Sequence, residues 1–142
     1  MTTHAYGFHD LAVGQQSTRT VTFTEESVSA FSALIGDHAP VHVDTEHART
    51  MGYQDRIVHG MFVAAHFSTI LGTSLPGPNT VIHSVQVSFA KPVLIGQTVR
   101  YSVDVTRLVA SVQVVQLDLR VESDVVGLVM SGRAQCGFRK AS

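Results

Sequence analysis

The chain has 142 residues, a formal charge of −1 with histidines neutral, 15% charged residues and a single cysteine, Cys136. That length suits one domain, residues 1–142, with a core of useful size. The near-zero charge, without a basic run or acidic tail, predicts no nucleic-acid partner and no anionic membrane surface, and one cysteine excludes both a disulfide framework and a cysteine zinc site.

Residues 1–16 carry little pattern beyond Phe8, Leu11 and Val13. Thr18 to Phe23 alternates and reads as a short strand. Thr24 suits a helix N-cap, with Glu25 and Glu26 in the first turn complementing the helix dipole. Val28, Phe31, Ala33, Leu34 and Ile35 then predict an apolar face as far as Gly36. Gly36 suits the left-handed position that ends a helix, and Pro40 breaks any continuation while pushing Ala39 towards an extended conformation. Asp37 and His42 are thereby expected at either end of a short bent loop, where their side chains can converge. A carboxylate and an imidazole meeting on one small molecule form a proton-transfer arrangement.

Asp44 or Thr45 can cap a second short helix through Met51, closed by Gly52. Tyr53 to Val58 connects to His59-Gly60. From Gly60 to Leu71 the sequence is apolar nearly all round, which predicts a helix buried on most sides and too short to cross a bilayer, so a sheet must wrap it. Gly72 to Pro78 is a breaker. The remainder reads as strands: Val81 to Phe89, Val99 to Val105, Val115 to Val121, and Val126 to Phe138 around Gly132. A phase slip at Val114-Val115 suggests a bulge. The expected fold class is α+β, one antiparallel sheet with an apolar face curled round one helix. With no charged-then-apolar leader and no membrane-spanning run, the expectation is a soluble cytoplasmic protein.

At the level of motifs, Gly36-Asp37, Pro40 and His42 resemble the hydratase motif of the MaoC-like (R)-specific enoyl-CoA hydratases and acyl dehydratases. The likeness runs from about Leu11 to Phe138 and includes Ile57-Val58-His59-Gly60-Met61, Phe67-Ser68 and Phe89-Ala90-Lys91-Pro92-Val93. It implies a hotdog fold, a curved sheet wrapped round a long central helix. It also implies a hydro-lyase that reversibly hydrates trans-2-enoyl thioesters, carried on coenzyme A or acyl carrier protein, to (R)-3-hydroxyacyl thioesters. In that reading Asp37 and His42 hold and activate one water, the Gly60 N–H stabilises charge on the thioester oxygen, and Ser68 lies near the site. No cofactor and no metal are implied, and the partners are the acyl thioester and a second copy in a homodimer or larger homo-oligomer. Ala39 departs from the family pattern, which has Asn there, and so removes a side-chain amide from the loop.

Plainer readings exist for each residue. Asp37 alone is a turn residue, His42 alone a loop histidine, Gly60 a packing glycine, and Ser68 a hydroxyl bonded one turn back. His59 caps or orients the helix start, and His66 and His83 are expected as buried neutral histidines with a partner. His38, His42 and His47 are close in sequence, but Pro40 keeps them off a shared helix face, against a zinc site. A hotdog thioesterase is the competing enzyme, disfavoured because residues 59–72 contain no Asp or Glu. A non-catalytic acyl-binding module is disfavoured by the Asp37/His42 pair.

Overall fold

The computed structural model describes residues 2–139; Met1 and residues 140–142, the ends of the expected domain, lie outside the described residues. Five strands form one antiparallel sheet in the order β1-β3-β4-β5-β2: β1 Gln16–Thr22, β2 Thr80–Phe89, β3 Thr98–Val109, β4 Val114–Ser123 and β5 Gly127–Phe138. β3 and β4 alternate as their sequences require. Val99, Tyr101, Val103 and Val105, with Leu117, Leu119 and Val121, are buried against the main helix, while their neighbours face outward. That helix, α4 (Gly60–Thr73), sends Val63, Phe67, Ile70 and Leu71 into the same core. Each such side chain contributes about 2 kcal/mol of burial free energy. A sheet curled round one helix is the hotdog arrangement that the resemblance implies.

Three short helices occupy the chain between β1 and α4. They are α1 Glu25–Ile35, α2 Pro40–Val43 and α3 Thr45–Thr50. The capping residues act as expected: the Thr24 hydroxyl accepts from the Ser27 N–H at 3.1 Å, and the Asp44 carboxylate accepts from the His47 N–H at 3.1 Å. Gly36 ends α1 at φ +76°, and its N–H donates to the Ser32 carbonyl at 2.9 Å. Helix and sheet are tied by Tyr101, whose phenol donates to the Val63 carbonyl at 2.6 Å. Burial raises the Tyr101 pKa well above its ordinary value, so the phenol stays a donor. Among the described residues no helix is long and apolar enough to cross a membrane.

Several expectations are corrected. Pro40 does not merely break a helix; it starts α2, at the first position, where a missing N–H costs nothing. His42 therefore sits in a helical turn and not at the end of a loop. Ala33, Leu34 and Ile35 are exposed, and α1 buries Val28 and Ser32 instead. α4 is not covered on most sides, since Met61, Ala65, Ser68 and Thr69 are exposed. On β2 only Val87 is half-buried along the expected face, and His83, at a break in the β2–β5 register, is exposed. The bulge near Val114 lies instead on the facing strand, where Thr106 is the extra residue between the Val105–Leu117 and Arg107–Gln116 pairs. Within residues 1–16, Phe8–Asp10 form a 3₁₀ turn, and Phe8 and Leu11 join the core.

Candidate active site

The site is assembled around an extended segment, Arg56 to His59, that runs into α4. On one side the Val58 N–H donates to the Val93 carbonyl at 2.7 Å, and the Arg56 carbonyl accepts from the Ile95 N–H at 3.0 Å. On the other side the Ile57 N–H donates to the Val41 carbonyl of α2 at 3.1 Å. The Ile57 carbonyl accepts from His42 Nδ1 at 2.8 Å. A carbonyl only accepts, so Nδ1 carries a proton, and in the neutral ring Nε2 presents a lone pair. Asp37 is held locally: its Oδ1 accepts from the Ala39 N–H at 3.1 Å, in a turn set up by Gly36. One carboxylate oxygen of Asp37 and one ring nitrogen each from His42 and His59 all lie within 4.8 Å of one another. Asp37 and His42 are half-buried and His59 is buried.

Behind this pair His59 fills the gap. Its Nε2 lies 3.1 Å from the Asp37 carbonyl and 3.0 Å from the Ser32 hydroxyl. Its ring stacks on that of His42, centroids 3.9 Å apart and planes at 26°. The stack bears on metal binding. An imidazole binds a metal along its lone pair, in the ring plane, at about 2.0–2.1 Å. Two rings stacked in nearly parallel planes do not aim their lone pairs at one ion, so the three side chains are a poor cradle for a metal despite their closeness. His38 and His47 are exposed and outside this cluster.

At the start of α4 the helix's own bonds begin late. The Phe62 and Val63 N–H groups both donate to the His59 carbonyl, at 2.9 and 3.1 Å. The N–H groups of Gly60 and Met61 make no bond among the described residues, as expected of a first helical turn. They are donors backed by the positive end of the helix dipole. Beside them lies an apolar cavity of about 250 Å³, bounded by Ile57, Gly60, Val63, Phe89, Val93 and Met130. A methyl group at Gly60 would come 2.7 Å from a Phe89 ring carbon, so glycine lets that ring lie over the helix start. A larger hollow of about 500 Å³ opens on the polar outer face of the sheet among Gln116, Asp118 and Arg133, away from these donors.

The described residues thus bring together Asp37, His42 and the Gly60 end of α4. Ser68 stands apart, on the exposed flank of α4, about 12 Å along the helix axis from Gly60 at 1.5 Å per residue. It makes no hydrogen bond among the described residues, so the back-bond to a carbonyl is not found. The site member that sequence reading passed over is His59. The available signal was its position: histidine is a weak helix cap, and a ring not used for capping is free to turn elsewhere.

Residues 9–126 match the MaoC-like domain. The chain belongs to the MaoC-like family. It is 39% identical over 102 residues to an (R)-specific enoyl-CoA hydratase of Rhodospirillum rubrum, covering 72% of this chain and 71% of that one. It is 36% identical over 124 residues to an (R)-specific enoyl-CoA hydratase of Aeromonas caviae, covering 87% and 92%. The solved (R)-hydratase of A. caviae superposes with a TM-score of 0.87 at 34% identity, covering 91% of this MaoC-like chain and 98% of that structure.

Two histidines give the fold a pH signature. Burial lowers the His59 pKa below the ordinary 6.5; the bond to the Asp37 carbonyl opposes this and the His42 charge adds to it. Burial also lowers the His66 pKa, with Arg19 adding to it, and among the described residues the buried His66 Nε2 has no hydrogen-bond partner, contrary to the expectation of a partnered ring. Below 6.5 the unfolded chain therefore binds protons that the folded chain does not, and stability falls as pH falls through that value towards the lowered folded pKa values. Urea midpoints taken from pH 7.5 to 5.5 are expected to decrease, and a His66→Gln variant to show a shallower decrease.

A second expectation concerns Ala39. It is the N-cap residue of α2, with extended backbone (φ −53°, ψ 133°), and offers no side-chain cap. Restoring an amide there, Ala39→Asn, is expected to stabilise the fold by about 1 kcal/mol in urea denaturation.

Proposed function

We propose that this chain catalyses the reversible hydration of trans-2-enoyl thioesters to (R)-3-hydroxyacyl thioesters, with Asp37 and His42 as the residues that handle the water. The observation that carries the reading is that an Asp37 carboxylate oxygen and a His42 ring nitrogen lie within 4.8 Å of each other, beside two helix-start N–H donors and an apolar cavity. The relatives described above are named (R)-specific enoyl-CoA hydratases, which supports the same reaction and favours coenzyme A as the carrier.

In this reading one water sits between the Asp37 carboxylate and His42 Nε2. Asp37 accepts a proton as the water oxygen bonds to C3 of the enoyl chain. Electrons move through the conjugated system to the thioester oxygen, and the proton taken from the water passes from Asp37 to Nε2 of His42 and from there to C2, so that both groups end as they began. The two groups act as a unit, and both proton positions belong to the pair. Charge on the thioester oxygen is met by the Gly60 N–H; a pre-aimed donor of this kind contributes about 3 kcal/mol to transition-state stabilisation. The cavity beside Gly60 takes the apolar part of the acyl group. Ser68, on the open flank of α4, is a substrate contact in this scheme and not a partner of the acid–base pair.

The same reading includes a homodimer. Among the described residues β2 pairs only with β5, which leaves its other edge free, and Val81, Ile82, Val85 and Phe89 are exposed along it. An apolar free edge is a site for a further strand, and a second copy supplies one. The single domain 1–142 and the absence of any cofactor complete the proposal.

The decisive assay mixes the purified chain with crotonyl-CoA and follows the ultraviolet absorbance of the conjugated thioester, with chiral analysis of the product. Loss of absorbance with an (R)-3-hydroxy product is expected, and Asp37→Asn is expected to lower kcat on the order of 10³-fold. Persistent absorbance with coenzyme A and carrier-protein substrates would sink the proposal, and release of free thiol would favour thioester hydrolysis. Sedimentation at micromolar concentration is expected to give a dimer and Val85→Lys a monomer; a monomeric wild type would refute the edge-to-edge partner.

A further inference from the structure

His59 does not do what its place in the sequence suggests. It precedes the first residue of α4 yet makes no side-chain cap to that helix, and it is only 2% exposed. The ring turns back towards the residues that follow α1. Because the Asp37 carbonyl can only accept, the proton of the ring must be on Nε2, 3.1 Å from that oxygen. The Ser32 hydroxyl, 3.0 Å from the same nitrogen, shares the contact. Nδ1 is then a bare acceptor, buried and without a partner among the described residues. A protonated ring would need an acceptor at Nδ1, and none is there, so the ring is neutral.

The contacts of this ring divide between the two members of the acid–base pair. Its hydrogen bond holds the backbone of Asp37. Its face lies on the His42 ring, centroids 3.9 Å apart, and it meets Phe31 at a steep angle, centroids 5.0 Å apart. Neither partner is otherwise held from this side. The one hydrogen bond described for the His42 ring, Nδ1 to Ile57, leaves the ring free to swing about that contact, and stacking stops the swing. The Asp37 side chain is held only within its own turn, by Ala39 N–H.

We infer that His59 is a positioning residue for the hydration: its Nε2–H fixes the Asp37 backbone and its ring face fixes the plane of His42, so that carboxylate and imidazole aim at one water. The inference rests on the reading of Asp37 and His42 as the catalytic pair. A ring that only filled space would be replaceable by any side chain of similar volume, with effects on stability alone. A positioning role requires the donor at Nε2. A misplacement near 1 Å in a reacting group costs about 10²-fold in rate.

The test uses the full chain with His59→Phe, which keeps a ring but no donor, and His59→Gln, whose amide nitrogen replaces the donor. Crotonyl-CoA kinetics are read as separate kcat and KM, with melting curves alongside. His59→Phe is expected to lose about 10²-fold in kcat at little-changed KM, and His59→Gln to recover at least about tenfold of it. A His59→Phe enzyme with near wild-type kcat, or a His59→Gln enzyme no better than His59→Phe, would overturn the inference. Should His59→Phe fail to fold, ¹⁵N NMR of the wild-type ring at pH 7 decides: a neutral Nε2–H tautomer supports it, and an Nδ1–H tautomer or an imidazolium overturns it. Wild-type turnover, lost in Asp37→Asn, separates the two failures. A wild type inactive on every enoyl thioester removes the catalytic reading itself, whereas an active wild type indifferent to His59 removes only the positioning role.

Discussion

The site depends on one short stretch of extended backbone, Arg56 to His59, hydrogen-bonded along both edges. The stretch after β2 fixes one edge through the Val58–Val93 and Ile95–Arg56 bonds, and α2 is fixed to the other through Ile57. Without that segment α2 would be one isolated helical turn, and a helix so short has no stability of its own. With it, the turn is locked to the start of α4, and His42 is delivered next to the helix's free donors. The Arg56 guanidinium adds a tie to Glu25 of α1 at 2.7 Å. Glu25 is largely exposed, so this ion pair contributes little free energy; its use is to orient the mostly buried arginine.

What could be read in the sequence was what local pattern decides. The end of α1 at Gly36, the caps at Thr24 and Asp44, the start of α4 at Gly60 and the alternation of β3 and β4 all follow from residues within a few positions of each other; the end of α4 did not, because Gly72, expected to break it, lies inside the helix. The meeting of Asp37 with His42 was legible for the same reason, since five residues and one turn separate them. Its route was misjudged: a proline can break one helix or begin the next, and Pro40 begins α2, α1 having already ended at Gly36.

Long-range contacts are where local reading ran out. His59 finds Asp37 and Ser32 at separations of 22 and 27 residues, and no periodicity reports such a pairing. The apolar residues of β2, and Leu34 and Ile35 at the end of α1, illustrate a different limit. Alternation says that a face is apolar, but it does not say which chain covers it. Among the described residues those side chains stay exposed, and it is this surface that the proposed second copy would cover.

Ala39 and His59 belong to one argument about precision. Proton transfer through a held water needs donor and acceptor fixed to within a fraction of an ångström. A capping side chain at position 39 would stiffen α2 from within, by satisfying an N–H of its first turn. This chain has no such side chain there, so the turn between Gly36 and His42 is stiffened from outside, by Ile57 bonding to both backbone and side chain of α2 and by His59 against Asp37 and His42. All of those restraints come from the single segment that also opens α4. Asp37, His42 and the helix-start donors are therefore referred to the same few atoms, and any shift of that segment carries them together. On the proposed reading, the relative geometry of the Asp37/His42 pair and the helix-start N–H groups is thereby preserved even where the loop carrying Asp37 lacks a cap of its own.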